Sequence, residues 1–255
     1  MGIVAIFNQK GGVGKTTTAI NLAAALSRRG RSPYGIDLDP QAQFSGINGV
    51  HADSGDDTVL ALFQRNRPLR EMLMASSSGV GIVPAHLELS KVDTLFGKGY
   101  NVVNRLNTAL KQERFTDEPP PVLIDCSPLI GVLTLNALFA STGVIIPVSA
   151  DHLSAKAAIQ VEKTLKALEP VLKRRIPRRY LLTRFDARRR MGTEVQAALE
   201  ERFGDDVCRT RIAENVSLAE SPAHNMTVYQ HAPSSRGALD YEILLDELLE
   251  AGFFD

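Results

Sequence analysis

Glycine, lysine and threonine are concentrated in one short segment, "QKGGVGKTTT" at residues 9–18. Closely spaced glycines let backbone N–H groups turn inward around phosphate oxygens, and a helix that starts there directs its positive end at the same anion. Lys15 is placed to reach the β- and γ-phosphates of a nucleotide, and the Thr16 hydroxyl is placed to bind Mg²⁺. The segment predicts a phosphate-binding loop made by eight residues: Lys10, Gly11, Gly12, Val13, Gly14, Lys15, Thr16 and Thr17.

The start of this loop departs from the common pattern G-x-x-x-x-G-K-[ST]. That pattern places a glycine at position 9, whereas this chain has Gln9 followed by an additional lysine, Lys10. The alternative to a binding loop is a glycine-rich turn with surface lysines. An apolar run, Ile3–Phe7, precedes the loop and helically spaced apolar residues follow Thr16. This strand–loop–helix context favours the binding loop.

Two further segments place aspartate at the end of an apolar run. "GIDLDPQ" contains Asp37 and Asp39, and "VLIDCSP" contains Asp125. In sheets of parallel strands, ligands bind at the carboxyl ends of the strands. Asp37 and Asp39, two residues apart, point the same way off a strand, and Asp125 has the form of the acid that holds Mg²⁺ through water. Turn formation is the other common use of such aspartates, but three of them beside a phosphate loop favour a nucleotide site.

Short apolar or β-branched runs alternate with helical patterns along the chain. Most runs are continuously apolar, which is expected of central strands covered on both faces. This alternation predicts an α/β fold with a doubly wound, mostly parallel sheet and helices on both faces, in a single domain over residues 1–255. The predicted strands are Ile3–Phe7, Tyr34–Leu38, Val80–Pro84, Val122–Cys126, Val144–Val148 and Tyr180–Thr183. Helices are predicted between Thr16 and Gly30 and over Asn101–Arg114, Leu133–Ala140, Ser154–Lys173 and Gly192–Phe203.

The net charge is zero, but the charges are unevenly distributed. Lys and Arg together number 29, as do Asp and Glu, yet residues 173–190 hold nine basic side chains and one acidic one, a local charge of +8. This basic segment favours an anionic partner, whereas the neutral total argues against a surface that coats nucleic acid in general. Its arginines are Arg174, Arg175, Arg178, Arg179, Arg184, Arg188, Arg189 and Arg190.

Nothing in the sequence indicates secretion or a membrane anchor. The chain opens on an apolar run without a basic-then-apolar leader, and no window approaches the ~20 apolar residues of a membrane-spanning helix. Two cysteines, Cys126 and Cys208, cannot build a disulfide framework, and no C-x-x-C pair indicates zinc. We therefore expect a cytoplasmic protein.

The chain resembles the ParA/MinD family of ATPases, and within it the ParA (Soj-like) branch, over nearly its whole length. The most specific match is "KGGVGKTTTAINLAAAL". Further matches are "DLDPQAQ", "LIDCSP", "LTLNAL", "VIIPVSAD", "LLTRFDAR", "NVSLAES" and "YQHAPSSRGALDYEILLDEL". The resemblance implies a P-loop NTPase fold, ATP and Mg²⁺ as cofactors, slow ATP hydrolysis and a homodimer that forms on ATP binding.

The resemblance also implies roles for individual residues. An early lysine is the signature of this deviant Walker A loop, and Lys10 occupies its position. It would reach across the dimer interface to the phosphates of the other subunit's ATP, where a second cation stabilises developing charge. Asp39 would position the catalytic water, and Asp37 and Asp125 would lie around Mg²⁺. Lys10, Lys15 and Asp39 are thus the expected catalytic residues.

ParA-like dimers bind DNA through phosphate contacts without reading its sequence. The resemblance therefore implies that arginines of the basic segment contact DNA and that the protein associates with the nucleoid. Such ATPases position a cargo, and a cargo-linked partner, ParB-like or another adaptor, stimulates hydrolysis. One departure weakens the DNA inference locally. Glu214 and Ser217 stand where the ParA pattern has arginines, although Arg188 of "FDAR" is retained.

Two functions of related ATPases are the alternatives. A MinD-like switch acts on a membrane or a protein partner without DNA, but its terminal helix is basic, whereas this chain ends in the acidic "LDYEILLDELLEAGFFD". Leu244, Leu248 and Phe253 of that segment are expected to pack on the sheet. An iron-protein-like redox ATPase needs cysteines that bridge two subunits around a cluster, whereas Cys126 and Cys208 are expected to be small buried residues.

Overall fold

An eight-stranded sheet organises the structure, a computed structural model that describes residues 2–97, 99–113 and 119–255. The strands are β1 Ile3–Ile6, β2 Tyr34–Leu38, β3 Met74–Ala75, β4 Gly81–Val83, β5 Val122–Cys126, β6 Gly143–Ser149, β7 Arg178–Phe185 and β8 Val207–Ala213. Their order across the sheet is β3-β4-β2-β5-β1-β6-β7-β8. β3 runs antiparallel to β4, and the other neighbours are parallel.

Helices cover both faces of this sheet. They are α1 Lys15–Arg28, α2 Gln43–Ile47, α3 Leu60–Arg65, α4 Val92–Phe96, α5 Tyr100–Val103, α6 Arg105–Gln112, α7 Val132–Ala140, α8 His152–Leu172, α9 Arg190–Phe203, α10 Val216–Glu220, α11 Val228–His231 and α12 Arg236–Glu250. Val4 and Ile6 of β1 pack with α1 and α12 on one face, and Ile3 and Ala5 pack with α6 to α9 on the other. The predicted doubly wound α/β fold is confirmed.

The phosphate loop and the aspartates lie at one edge of the sheet because the strands that carry them are parallel. β1, β2 and β5 are neighbours in the sheet, and their carboxyl ends lead into the segments at 8, 39 and 127. Gly35 lets α2 pack closely on β2: a Cβ there would lie 2.4 Å from the ring of Phe44, which is completely buried. The glycine in a central strand is therefore a packing requirement.

The structure contains all six predicted strands, with ends that differ by at most two residues. β3 and β8 were not predicted. β8 carries exposed arginines, Arg209 and Arg211, which are tolerated because it is the edge strand. The helix predicted over 101–114 is two helices, α5 and α6, that meet at Asn104, and its predicted end at Arg114 lies outside the described residues.

Candidate nucleotide-binding site

The phosphate-binding loop connects the end of β1 to the start of α1. Asn8 fixes its first turn: Nδ2 donates to the Pro147 carbonyl at 2.8 Å, and Oδ1 accepts from the Lys10 N–H at 3.0 Å. Gly14 has φ 89°, a left-handed conformation that favours glycine, directly before α1 begins at Lys15. The loop thus ends on the first turn of a 14-residue helix, whose free N–H groups and dipole attract phosphate.

Lys15 is buried at the base of the loop, with 7% of its surface exposed. Its Nζ donates to the Lys10 carbonyl at 3.0 Å. Burial lowers the pKa of Lys15, whereas the nearby Asp125 and Asp39 carboxylates act to raise it. A phosphate group would give this buried ammonium an anionic partner, which is the role that the sequence predicts for Lys15.

Asp37 and Asp125 lie opposite each other, because β2 and β5 pair in register at these residues. Both are completely buried. Burial raises the pKa of Asp37 to about 6. Burial and the neighbouring Asp37 raise the pKa of Asp125 well above its ordinary value. Two carboxyl groups held in this way attract a cation.

Hydrogen bonding separates the roles of these two aspartates. Both oxygens of Asp37 are occupied: Oδ1 accepts from the Asp39 N–H at 3.0 Å, and Oδ2 accepts from the Ser45 N–H and hydroxyl at 2.9 and 2.7 Å. Neither oxygen of Asp125 has a hydrogen-bond partner within the described part of the chain. Asp125 is therefore the better candidate for a metal ligand, and Asp37 mainly holds the segment that leads into α2.

The residues around Asp125 fit Mg²⁺. Thr16, in the first turn of α1, lies beside this carboxyl and acts to lower its pKa. Hydroxyl and carboxylate oxygens suit Mg²⁺, which usually keeps several waters. Over residues 2–97, 99–113 and 119–255, no three His, Cys, Asp or Glu side chains converge to hold a metal by themselves. Mg²⁺ would thus depend on Thr16, Asp125, water and phosphate oxygens.

Asp39 stands at the rim of the site, half-buried, two residues beyond Asp37. Its Oδ1 accepts from the Gln41 N–H at 3.0 Å. Its charge also acts to raise the pKa of both Lys15 and Asp125, which shows that the carboxylate lies close to them. The structure thus brings Asp39 together with the loop and with Asp125.

Lys10 is held by a cluster of oxygen atoms at the start of α8. Its Nζ lies 2.7 Å from Asp151 Oδ1 and 2.7 Å from the Ser154 hydroxyl. Asp151 also accepts from the Ser149 hydroxyl at 2.7 Å and from the Ser154 N–H at 2.9 Å, so it caps α8 and binds Lys10 at once. Burial acts to raise the pKa of Asp151, but the hydrogen bonds from Lys10, Ser149 and Ser154 outweigh it and hold the pKa well below the ordinary value.

Sequence reasoning missed these partners of Lys10. Asp151 lies 141 residues from Lys10 in the chain, and the two meet because β6 and β1 are neighbours in the sheet. The sequence offered one local signal for Asp151: it precedes Ser154 by three residues at the start of a helical pattern, which is typical of a helix N-cap.

The end of β7 also touches the loop. The Thr183 hydroxyl donates to the Val13 carbonyl at 2.9 Å, and the side chain lies against Gly14. This contact joins the phosphate loop directly to the segment at 184–190, which carries half of the predicted DNA-contacting arginines. Thr183 was not among the predicted site residues.

The basic segment does not form the single concentrated surface that the sequence indicates. Arg174 and Arg175 lie before β7, and Arg179 lies at its start. Arg184 and Arg188 lie at or beyond its end. The strand has eight residues, so at ~3.3 Å per residue it separates the two groups by roughly 25 Å. The second group lies at the edge of the sheet that carries the phosphate loop, and the first lies at the opposite edge.

Arg178 is a structural residue, and its predicted DNA contact is wrong. Its side chain is 2% exposed, and its guanidinium pairs with Glu162 at 2.9 Å and with Glu169. Tyr180 donates to the same Glu162 at 2.6 Å. A buried and fully paired guanidinium has no group left for a DNA phosphate.

Most of the other arginines in the segment are also engaged. Arg174 donates to the Ser141 carbonyl, Arg175 and Arg179 pair with Asp206, Arg188 and Arg189 pair with Asp186, and Arg190 pairs with Glu194. Arg184 is exposed, has φ 51°, and makes no ion pair within the described ranges.

Similarity to known proteins decides the family. The AAA_31 family model, described as an AAA domain, matches residues 1–177. The chain is 38% identical to the chromosome-partitioning ATPase Soj of Thermus thermophilus over 247 residues, which are 96% of this chain and 94% of that protein. It is 32% identical to the sporulation initiation inhibitor protein Soj of Bacillus subtilis over 252 residues, with 98% and 99% covered. The chain belongs to the ParA/MinD family of ATPases.

A solved structure supports the same assignment. Cobyrinic acid a,c-diamide synthase from Mycobacterium smegmatis, with bound ADP and magnesium, is 26% identical and superposes with a TM-score of 0.83 over 98% of this chain and 94% of that one. The predicted P-loop fold, the ATPase activity and the use of ATP and Mg²⁺ are confirmed for this ParA/MinD ATPase.

Other expectations concern the C-terminal segment, the cysteines and the membrane. Leu244, Leu248 and Phe253 are buried against the sheet, as expected. Cys126 and Cys208 are both buried, and burial raises the pKa of each thiol. None of the helices in the described residues combines the length and the apolar character needed to cross a membrane.

Proposed function

We propose that the chain is a ParA-type partition ATPase that dimerises on ATP binding and binds DNA without sequence preference. Its cargo is a plasmid, a chromosome origin or a large protein assembly. A cargo-linked partner, ParB-like or another adaptor, stimulates its slow hydrolysis. The whole chain, residues 1–255, acts as one domain in the cytoplasm, associated with the nucleoid. The observation that carries this proposal is the 38% identity to a chromosome-partitioning ATPase over 96% of the chain.

Residues of one subunit bind and orient ATP. Backbone N–H groups of residues 11–16 and the start of α1 hold the phosphates. Lys15 exchanges the Lys10 carbonyl for β- and γ-phosphate oxygens. Asp39, at the rim, orients the attacking water. Thr16 and Asp125 would hold Mg²⁺, which would supply positive charge to neutralise the phosphates.

Lys10 connects ATP to dimerisation. In the monomer its side chain is 28% exposed and its ammonium is bound to Asp151. In the dimer it exchanges Asp151 for the phosphates of the partner's ATP, where it stabilises the charge that develops during phosphoryl transfer. The dimer then depends on the γ-phosphate, and hydrolysis releases it.

The ATP-side end of β7 supports the assignment of DNA as the partner. Arg184, Arg188, Arg189 and Arg190 lie at the edge of the sheet at which Lys10 would join two subunits. Dimerisation doubles this set, so two weakly binding halves become one tighter binder. The acidic α12 disfavours an anionic membrane surface as the partner, because lipid phosphates would repel it.

The test is binding of the Asp39→Ala protein, with Mg-ATP, to random-sequence duplex DNA between about 50 and 200 mM salt. We expect a stable dimer by light scattering and tight binding that weakens steeply as salt rises. Lys15→Ala, which should not bind ATP, is the control and should bind DNA weakly at every salt concentration. A confirmed Asp39→Ala dimer that does not bind DNA at the lowest salt would contradict the proposal.

A further inference from the structure

Carboxylates of this chain pair with the arginines at the ATP-side end of β7. Asp186 accepts from Arg188 Nε at 2.9 Å and from its Nη2 at 3.0 Å, and it lies 3.4 Å from Arg189 Nε. Arg189 Nη2 also lies 3.3 Å from Glu214 Oε2. Arg190 Nε lies 2.8 Å from Glu194. Arg184 and these three arginines are called the ATP-side arginines below.

Asp186 and Glu214 differ in where they hold their charge. The Asp186 side chain is 11% exposed, beneath Arg188 and Arg189, whose side chains are 89% and 68% exposed. Asp186 therefore orients these guanidinium groups towards solvent. Glu214 is itself 50% exposed, so its negative charge stands at the surface beside Arg189.

The backbone fixes Glu214 in this place. Its N–H donates to the Phe185 carbonyl at 3.0 Å, at the junction of β7 and β8. Glu214 also lines a groove of about 1040 Å³ along β8 and α12, whose charged lining includes Arg188, Arg211 and Arg236 together with the carboxylates of Asp240, Asp246, Glu247 and Glu250 on α12. A DNA phosphate that approaches these arginines therefore meets the Glu214 carboxylate at the same surface.

We propose that Glu214 sets the DNA affinity of the dimer by neutralising Arg189; this inference rests on the proposed DNA binding. The four ATP-side arginines and the three carboxylates that pair with members of this group carry together a net charge of +1. The carboxylates are Asp186, Glu194 and Glu214. Without the Glu214 charge the net value is +2, and the dimer carries the change twice. When the ATP-side arginines of one subunit bind DNA weakly, tight binding requires both subunits. DNA affinity then depends more strongly on ATP-dependent dimerisation than it would with a tightly binding subunit.

The experiment compares Glu214→Gln with the wild type, using random-sequence duplex DNA, a non-hydrolysable ATP analogue and Mg²⁺. Exposed ion pairs contribute little to stability, so this variant should fold normally. We expect binding about three- to tenfold tighter at intermediate salt. The slope of log affinity against log salt should become steeper by about 1 to 2, because each subunit neutralises about one more phosphate.

Glu71→Gln is the matched control. Glu71 is also 50% exposed and also pairs with an arginine, Arg67. It lies between α3 and β3, and β3 is the edge strand on the other side of the sheet from β8. It should leave the affinity and the slope unchanged. In the double variant Arg189→Gln with Glu214→Gln, the gain should disappear.

The outcomes separate the two proposals. Tightening by Glu214→Gln alone, lost in the double variant, supports the role of Glu214. Equal effects of Glu214→Gln and Glu71→Gln, or no effect of either on a wild type that binds DNA, overturn it and leave DNA binding in place. Absence of binding by the wild type and all variants, each shown to be dimeric, overturns the proposed DNA binding itself.

Discussion

Asp37 and Asp125 are buried side by side, and burial raises the pKa of both, that of Asp37 to about 6. At pH values between the unfolded pKa and the folded one, the folded chain binds more protons than the unfolded chain. The contribution of Asp37 to stability therefore falls as pH rises from about 4 through about 6, and the contribution of Asp125 changes in the same direction. At neutral pH the nucleotide-free protein holds unfavourable negative charge that a cation beside Asp125 would offset.

Asp125→Asn should stabilise the nucleotide-free protein at pH 7, because it removes this buried charge. The expected gain in the free energy of unfolding is on the order of 1 to 3 kcal/mol, the range for a buried polar group without a partner. The gain should be smaller at lower pH, because the raised pKa of Asp125 favours its protonated form there. Urea unfolding at pH 7 and at pH 5 measures it.

Asp39→Asn is the control for this prediction, because Asp39 is only half-buried. It should change stability by less than Asp125→Asn at pH 7. Mg-ATP should stabilise the wild type but not Asp125→Asn. A lower stability of Asp125→Asn at pH 7 would contradict the prediction.

The contact between Lys10 and Asp151 competes with the proposed contact of Lys10 across the dimer interface. Asp151→Asn removes the negative charge but keeps an oxygen that can cap α8. We expect dimerisation at an ATP concentration about two- to fivefold lower, since a partly exposed ion pair contributes up to about 1 kcal/mol. Light scattering during an ATP titration measures the shift.

Lys10→Ala provides the control for this competition. It should bind ATP without dimerising, and adding Asp151→Asn to it should change nothing. If Asp151→Asn raises the ATP requirement of the otherwise unaltered protein, Asp151 supports Lys10 in the dimer and the competition does not exist.

Among the elements, α8 and β7 are joined by the buried pairs of Arg178 with Glu162 and Glu169. Burial acts to raise the pKa of Glu162, but the Lys166, Tyr180 and Arg178 partners lower it to about 2. This group therefore stabilises the fold above its unfolded pKa of 4.5, and the contribution is lost as pH falls through about 2.

Arg178→Met should destabilise the protein by about 3 to 5 kcal/mol, because it leaves two carboxylates without their buried cation. This cost should become smaller as pH falls below about 4.5, because the wild type itself loses the contribution of Glu162 there. Arg175→Met, on the exposed side of the same segment, should cost far less. Urea unfolding of both variants between pH 3 and 7 distinguishes them, and equal costs would mean that Arg178 is not a structural residue.

Sequence patterns predicted the elements whose environment is uniform and missed those whose environment is mixed. Val122–Cys126 is buried throughout and was predicted in full. The strand predicted over Tyr180–Thr183 is shorter than the observed strand. An arginine at position 178 suggests a surface residue in the sequence, and only the structure shows that Glu162 and Glu169 pair with it in the interior. The loop at 10–17 and the three aspartates were predicted because their chemistry is local. Asp151 and Thr183 were missed because only the strand order brings them to the loop.

For the molecule as a whole, zero net charge conceals two separate arginine groups at opposite edges of the sheet. Arg174 and Arg175 lie before β7, and the ATP-side arginines lie at or after its end. Only the second group lies where ATP would join two subunits. We therefore expect the second group to contact DNA in the ATP-bound dimer and the first group to make no DNA contact there.

Arg188→Ala and Arg175→Ala form a matched pair for testing this division. Both side chains are strongly exposed, at 89% and 71%, and each pairs with one aspartate, Asp186 or Asp206. With the ATP-bound dimer and random-sequence duplex DNA, Arg188→Ala should flatten the slope of log affinity against log salt by about 1 to 2, because each subunit loses about one phosphate contact. Arg175→Ala should leave the slope unchanged. Equal flattening by both variants would mean that DNA contacts both edges of the sheet. The duplex would then have to follow β7 along its length of about 25 Å.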